Sequence, residues 1–332
     1  MTNSPIGFNK RVGRSLWHGA LRVVIATTML LGVCAFAAQA KSKKILVLTT
    51  DSLTATTRTI SGLTTTIRQQ YPEAIFSLYR LTSAGLMTQS SMDSLLEFNP
   101  SVIVTVGSDA TKVAQREFSG VPLVFSSVLY PELSGFVSDK FQPKDNITGA
   151  SLDISIDIQF WNFKKIIPKL KKIGVLYTSN TASLIPRAQR AAADSGLTLV
   201  AIQINNEKEL PGAIDSLTKT CQGIWSLADP NLFTPQSTKY ILLHSMKKNI
   251  PVMGFSRNVV ESGALFALDF DYKAIGRQTG IIVNAILGGG KPSGIAVTSP
   301  DVIWFHYNER TAQYMQITIP PDLVAVAKEV YR

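Results

Sequence analysis

The sequence predicts an α/β protein built on two open, mostly parallel sheets, and three observations carry that expectation. Short continuous apolar runs recur, the clearest being Lys44–Thr49 (KILVLT), Ser101–Val106 (SVIVTV) and Lys172–Tyr177 (KIGVLY). Such runs mark strands buried on both faces, as in a parallel sheet covered by helices. Each is followed by a stretch of helical periodicity, and the whole alternation breaks off after residue 128 and restarts at residue 160. Two consecutive sets of this kind imply two doubly wound sheets.

In chain order, Lys44–Thr49 is the first strand and Thr54–Gln70 a Thr-rich helix. Ala74–Tyr79 is a strand, Ser90–Phe98 a short helix, Ser101–Val106 a strand, Ala110–Glu117 a helix and Pro122–Val128 a strand. Residues 131–146 carry Pro131, Gly135, Pro143 and Asn146 without periodicity and read as a loop. The second set places helices over Phe160–Leu170, Ser183–Ser195, Glu207–Lys219 and Pro235–Lys248. Its strands fall over Lys172–Tyr177, Leu197–Ile204, Gly223–Leu227 and Ile250–Phe255. Asp271–Leu287 is a long helix that ends at Gly288-Gly289-Gly290. Its Gly276 and Gly280 stand at i, i+4, a spacing that permits close packing.

The chain of 332 residues has room for roughly two domains. Residues 1–22 hold Lys10, Arg11, Arg14 and Arg22 and no acid, Val23–Ala38 is almost wholly apolar, and Ala38-Gln39-Ala40 is a small-x-small pattern. Residues 1–40 therefore read as an export signal cleaved after Ala40 to a periplasmic product. An uncleaved anchor helix is the rival reading, but the apolar run of 16 residues falls short of the ~20 that span a bilayer. Cys34 does not make a lipidation site, because Val33 stands where a small residue is needed. Removal of the signal lowers the net charge from +10 to +6. The remaining bases are scattered and give no nucleic-acid surface. Cys221, the one cysteine beyond the signal, reads as a small buried residue.

In doubly wound sheets, ligands bind outside the carboxyl ends of the strands. Those ends carry Asp51 and Ser52 after the first strand, Ser108 and Asp109 after the third, and Ser127 and Tyr130 on the fourth. The second set contributes Asn180 and Thr181, Asp229 and Asn231, and Ser256 and Arg257. Each is an ordinary N-cap type taken singly, and together they line a cleft suited to a small polar ligand. Tyr130, Phe255 and Phe270 add aromatic surface near strand ends, whereas Trp225 falls in mid-strand and reads as core.

Enzyme signatures fail. His244 and His306 are far apart and lack metal-ligand spacing, and no G-x-S-x-G elbow appears. Gly288-Gly289-Gly290-Lys291 ends a helix rather than opening one, so it is no phosphate loop, and no G-x-G-x-x-G follows the first strand. No cofactor is expected. Asp269 and Asp271 form a carboxylate pair without a companion base, and Asp271 also suits a helix start.

Four stretches resemble the ABC-transporter substrate-binding family whose characterised members include tryptophan and aromatic amino-acid binders. They are Pro100–Thr111 (PSVIVTVGSDAT) with Val121–Val128, Asn146-Ile147-Thr148-Gly149, Lys172–Ser183 (KIGVLYTSNTAS) and Ile250–Gly289. The last holds Ser262-Gly263-Ala264-Leu265 and the helix start Asp271-Tyr272 with Gly276-Arg277-Gln278-Thr279-Gly280. The resemblance implies a type I periplasmic-binding-protein fold: two doubly wound parallel-sheet lobes joined by a three-strand hinge, crossed near residues 130–150, 265–270 and 291–295. Lobe 1 would span 41–148 with 270–291 returning to it, and lobe 2 would span 149–269 with 292–332. It further implies a non-enzymatic protein that closes on a solute and delivers it to a membrane permease driven by a cytoplasmic ATPase. By the same analogy Ser108, Asp109 and Ser127 stand on the first wall, Asn180, Thr181, Asp229 and Ser256 on the second, and Phe270 and Asp271 at the hinge. Sugar-binding relatives of the wider fold carry an aspartate where Ser256 and Arg257 stand, which points away from a sugar and toward a carboxylate-bearing, amino-acid-like solute. A ligand-sensing protein that feeds a membrane receptor or sensor kinase is the alternative output of the same fold.

Overall fold

The computed structural model describes residues 1–2, 42–82, 88–138, 142–144 and 146–332. The expected signal over residues 1–40 lies outside the described residues beyond the first two, as does part of the expected loop over residues 131–146. Among the described residues no helix is long and apolar enough to cross a membrane.

Within Lys43–Arg332 the chain builds two sheets. The first comprises β1 (Lys44–Thr49), β2 (Ile75–Arg80), β3 (Val102–Val106), β4 (Leu123–Val128) and β5 (Ile147–Ser151). All pairs are parallel, in the order β2-β1-β3-β4-β5. Period-two alternation explains the unbroken apolar runs. Ile45 and Val47 point to one face, against α1 (Thr54–Gln70), while Leu46 and Leu48 point to the other, against α3 (Ser108–Glu117). The short helix α2 (Gln89–Glu97) adds Leu95 to that second face.

The fifth strand is a departure from the sequence reading, which placed residue 148 at the end of the first lobe. Ile147–Ser151 pairs with β4, so the first sheet runs on to Ser151. Its ITGAS sequence hides the strand because Gly149 weakens the pattern. That glycine is needed for contact: a Cβ there would lie 2.2 Å from the Phe125 carbonyl oxygen.

The second sheet contains β6 (Lys172–Tyr177), β7 (Thr198–Gln203), β8 (Gly223–Trp225), β9 (Val252–Gly254), β10 (Phe266–Phe270), β11 (Ile303–Asn308) and β12 (Ala327–Tyr331). Its order is β12-β11-β10-β9-β8-β6-β7, parallel except where β10 meets β11. One face packs on α4 (Ile156–Ile166) and α5 (Ile185–Asp194), the other on α6 (Leu210–Thr220) and α7 (Pro235–Lys247). The expected helix over Phe160–Leu170 is shifted toward the N-terminus and stops at Ile166, because Pro168 disfavours helical backbone just before it. The short α8 (Arg257–Glu261) follows β9. The tail adds α10 (Glu309–Tyr314) and α11 (Pro321–Ala325) around β11 and β12.

The remaining helix, α9 (Tyr272–Leu287), follows β10 of the second sheet but packs on the first. Its glycines allow this. A Cβ on Gly276 would stand 1.9 Å from the Thr59 carbonyl oxygen, and one on Gly62 of α1 would stand 2.1 Å from that of Lys273. The two backbones touch. The threonines of α1, poor helix formers in isolation, turn their hydroxyls to carbonyls one turn back (Thr59 to Ala55, Thr66 to Gly62) and so tolerate the helix.

The chain passes between the sheets three times. The first passage follows Ser151, later in the chain than the expected 130–150, and the second is at Phe270–Tyr272. The third lies between Thr298, which bridges to Ala150 beside the first sheet, and Ile303 of the second, rather than at 291–295. Gln278 of α9 secures it by donating to the Ser299 carbonyl oxygen at 2.8 Å.

Candidate functional site

A cavity of about 340 Å³ opens outside the carboxyl ends of β8, β9 and β10, against the segments that leave the first sheet. This is the position in which doubly wound sheets hold ligands, and the volume lies at the lower end of the ~300–1,000 Å³ of small-molecule sites. Tyr130 and Glu132 reach it from beyond β4, Asp153 from the first passage, Gln159 from α4, and Trp225 to Ala228 from β8. Gly254 to Asn258 close it from β9 and α8, and Asp269, Phe270 and Tyr272 from the second passage.

Aromatic side chains form much of the wall. Trp225, expected in the core, is 1% exposed and also faces the cavity. Its indole N–H donates to Gln159 Oε1 at 2.7 Å and its ring meets Phe160 edge-on at 5.1 Å. Phe270 and Tyr272 form a second edge-on pair at 5.2 Å, and Phe255 is braced by Phe233 at 5.1 Å.

The charges between these rings are unevenly satisfied. Arg187 pairs with Glu132 at 3.4 Å, and Arg257 Nη1 with Glu329 at 3.2 Å. Asp269 accepts backbone N–H groups on both oxygens, from Phe270 at 2.8 Å and Arg257 at 3.3 Å, while burial pushes its pKa upward. Asp153 is 8% exposed, accepts the Tyr130 N–H on Oδ1 at 2.9 Å and donates its own N–H to the Ser151 hydroxyl at 2.7 Å. Burial, abetted by the Glu132 charge, raises its pKa to about 7. Burial first, then the charge of Asp153, also lifts the Tyr130 phenol well above its usual value. Among the described residues, Asp153 Oδ2, Glu132 Oε2 and the Ser226 hydroxyl are buried without a partner.

The approach to the cavity is conformationally strained. Ser127 and Tyr130 both adopt left-handed backbone, with φ of 56° and 51°, and the β4–β5 register shifts between Ser126 and Val128. For non-glycine residues such conformations cost energy and persist only where the surroundings impose them. Here the Ser127 hydroxyl meets that of Thr59 at 3.1 Å, and the Tyr130 N–H meets Asp153.

Of the residues singled out in the sequence, Tyr130, Ser256, Arg257 and Phe270 line this cavity. Asp51 accepts from the Leu53 N–H and the Thr56 hydroxyl at the start of α1, and Ser52 accepts from Arg80. Ser108 opens α3, and Asp109 is exposed beside Lys112. Asp271 caps α9, accepting from the Lys273 N–H at 2.9 Å and pairing with Arg58 at 3.0 Å. Asp229 is 1% exposed and binds the Thr178 and Thr181 hydroxyls and the Asn231 N–H, tying together the ends of β6 and β8. Asn180 is exposed after β6, and Asn231 lines a smaller cavity of about 210 Å³ with Thr178, Ser179 and Asn206. The strand-end signal did not lead to Glu132, Asp153, Gln159 or Arg187. None of these follows a strand end with a helix-capping pattern, and Asp153 lies beyond a strand the sequence did not reveal.

The model of the family described as ABC transporter substrate binding protein matches residues 81–331. The chain is 25% identical over 233 residues to the tyrosine-binding protein of Clostridioides difficile (strain R20291), which covers 69% of this chain and 67% of that one. Among solved structures it is similar to the ligand-free, open structure of a substrate binding protein with adhesive properties from Clostridium difficile. The TM-score there is 0.73 at 21% identity, covering 87% of this chain and 99% of the other. It is also similar to an ABC domain from Streptococcus pneumonia in complex with L-Trp, with a TM-score of 0.63 at 21% identity, covering 87% and 100%.

Proposed function

The chain belongs to the ABC transporter substrate binding protein family, and on that footing we propose that it is the exported solute-binding component of an ABC importer, taking an amino-acid-like solute between two lobes and presenting it to a membrane permease. The observation that carries the reading is the cavity itself. Aromatic walls (Trp225, Phe255, Phe270) enclose charges of both signs (Asp153 and Glu132, Arg187 and Arg257), a lining that matches a small zwitterion with an apolar side chain.

In this reading the first lobe is the sheet β1–β5 with α9 returned to it, and the second is the sheet β6–β12. The solute gains contacts to both lobes only when they close, so binding shifts the open–closed equilibrium by its differential affinity for the two states. Tyr130, Ser256, Arg257 and Phe270 form the inner wall. Ser108 and Asn180, at uncovered strand ends, reach the solute on closure. The basic and apolar segments of residues 1–40 support export.

The test is a thermal-shift panel of amino acids, small carboxylates, nucleosides and sugars on the purified protein, with bound compound recovered and identified. A ligand that binds only the native state adds ~2.7 kcal/mol of stability at a hundred times its Kd. A shift confined to amino acids, with the compound recovered unchanged, is the expected result. A shift confined to sugars or nucleosides, or recovery of a converted product, would overturn the reading.

A further inference from the structure

We propose that Glu329, on the last strand and outside the cavity lining, is a positioning residue for Arg257. It holds the guanidinium by one nitrogen so that the opposite edge receives the carboxylate of the solute, and it thereby sets the preference for a carboxylate over a neutral group. The inference rests on the reading of this cavity as the solute site and adds a residue that acts on the solute only through another.

The argument starts from how the two cations of the lining are held. Arg187 shares the cavity wall with its own partner, Glu132, so that pair shows both signs side by side. Arg257 also lines the cavity, but its partner does not: Glu329 belongs to β12, at the edge of the second sheet. Only Arg257 Nη1 is engaged, at 3.2 Å from Glu329 Oε1, so among the described residues the Nε–Nη2 edge has no protein acceptor. That edge is a planar fork that matches a carboxylate bidentately. Glu329 is itself fixed. Its Oε2 accepts from the Tyr331 hydroxyl at 2.7 Å, and the buried ring of His306, which pairs in register with Glu329, stands 3.4 Å from the same oxygen. The backbone of Arg257 is held separately, its N–H donating to Asp269 Oδ2 at 3.3 Å. Backbone and guanidinium are thus anchored to two different strands. A long, exposed side chain without such anchors would give up its rotamer freedom when the solute binds, and that cost is removed when the geometry is set beforehand.

The test reads the preference for a carboxylate directly. Calorimetric titration of the full chain at about pH 6, where α-amines are protonated, compares L-tryptophan with L-tryptophanamide and L-tyrosine with L-tyrosinamide. Within each pair only the carboxylate is lost. The wild type is expected to prefer each amino acid over its amide by about 10- to 100-fold, the range of a charge-assisted hydrogen bond. Arg257→Gln should abolish that preference. Glu329→Ala should narrow it about fivefold, through weaker binding of the amino acids with the amides unchanged, and Glu329→Gln, which keeps an acceptor for Nη1, should retain part of it. Glu329→Ala added to Arg257→Gln should change nothing further, because Glu329 acts only through Arg257. Tyr331→Phe loosens Glu329 without removing its charge, should narrow the preference in the same direction, and decides the matter if the Glu329→Ala protein does not fold. A preference that stays or widens in these variants, or a loss shared equally by amino acids and amides, would overturn the positioning role. If the wild type binds both members of each pair equally, the role of Arg257 and Glu329 falls while the solute-binding reading stands. If none of the four compounds binds, the amino-acid-like reading falls and the positioning role with it.

Discussion

The backbone N–H of Tyr130 donates to Asp153 Oδ1 at 2.9 Å. One hydrogen bond thereby ties the left-handed residue that follows the fourth strand to the segment carrying the chain out of the first sheet. It occupies one oxygen of Asp153 and leaves the other facing the cavity, where the buried carboxyl titrates near neutrality.

That titration makes stability depend on pH. The folded state holds the Asp153 proton up to about pH 7, whereas an unfolded aspartate loses it near 3.8. The folded state therefore binds more protons between those values, and stability falls as the pH rises through them, by ~4 kcal/mol at 1.36 kcal/mol per unit. Asp269, also raised, acts in the same direction, while His306, lowered by burial, acts in the opposite one. The Asp153→Asn protein isolates the effect: its urea midpoint should exceed that of the parent at pH 8 and approach it at pH 4. Parallel pH profiles for the two proteins would show that Asp153 carries no such penalty.

Binding of an amino-acid solute should release protons. Its ammonium, when near Asp153 in the cavity, favours the ionised carboxyl, so near pH 7 the heat of binding of the amino acid found by the thermal-shift panel should vary with the ionisation enthalpy of the buffer. The same variation should vanish in Asp153→Asn. Glu132 and Arg187 face Asp153 and stay in place in both proteins, which makes the comparison specific.

The contact between α1 and α9 predicts a sharp contrast between two glycines. Gly276→Ala drives a methyl group into the Thr59 carbonyl and should lower stability by ~1–3 kcal/mol, the cost of overpacking. Gly212→Ala, inside α6 with nothing near its missing Cβ, should raise stability by ~0.4–1 kcal/mol. Melting temperatures of the two variants check this, and equal shifts would mean that the helices can separate at no cost.

Asp229 and the pair Ser108 and Asn180 should behave differently. All the oxygens of Asp229 are engaged within the protein, so Asp229→Ala leaves buried hydroxyls unpartnered and should cost about 2 kcal/mol of stability or more. Replacing both Ser108 and Asn180 by Ala should leave the melting temperature of the free protein within about a degree, since surface substitutions cost little, and weaken solute binding. Normal affinity in that double variant would remove these two residues from the closing wall.

Much of the fold was readable because it depends on local pattern. Lys44–Thr49 and Thr54–Gln70 lie where apolar continuity and turn residues placed them, since a strand buried on both faces leaves an unmistakable run. The Gly276 and Gly280 spacing announced a close contact without naming Thr59 or Thr66 as the partners. The short strands β5 and β10–β12 escaped, because ITGAS and FALDF derive their strand character from neighbours rather than composition. The cavity was half visible. Strand ends led to Tyr130, Ser256, Arg257 and Phe270, but the acids that give it its charge come from passages between sheets, where no periodicity marks a residue.

The return of α9 to the first sheet has a bearing on how the chain is made. Ile45, Val47, Val104 and Val124 need Ile275, Ile282, Val283 and Ile286 to cover them, yet the whole stretch from Ser151 to Tyr272 separates the two groups in the chain. A growing polypeptide emerges N-terminus first, so the first sheet stands with a bare apolar flank while much of the second lobe is still being synthesised. Such a flank is a target for aggregation and for factors that hold chains unfolded. The first sheet cannot finish folding on its own, and the ribosome has to deliver α9 before that flank is closed off from its surroundings.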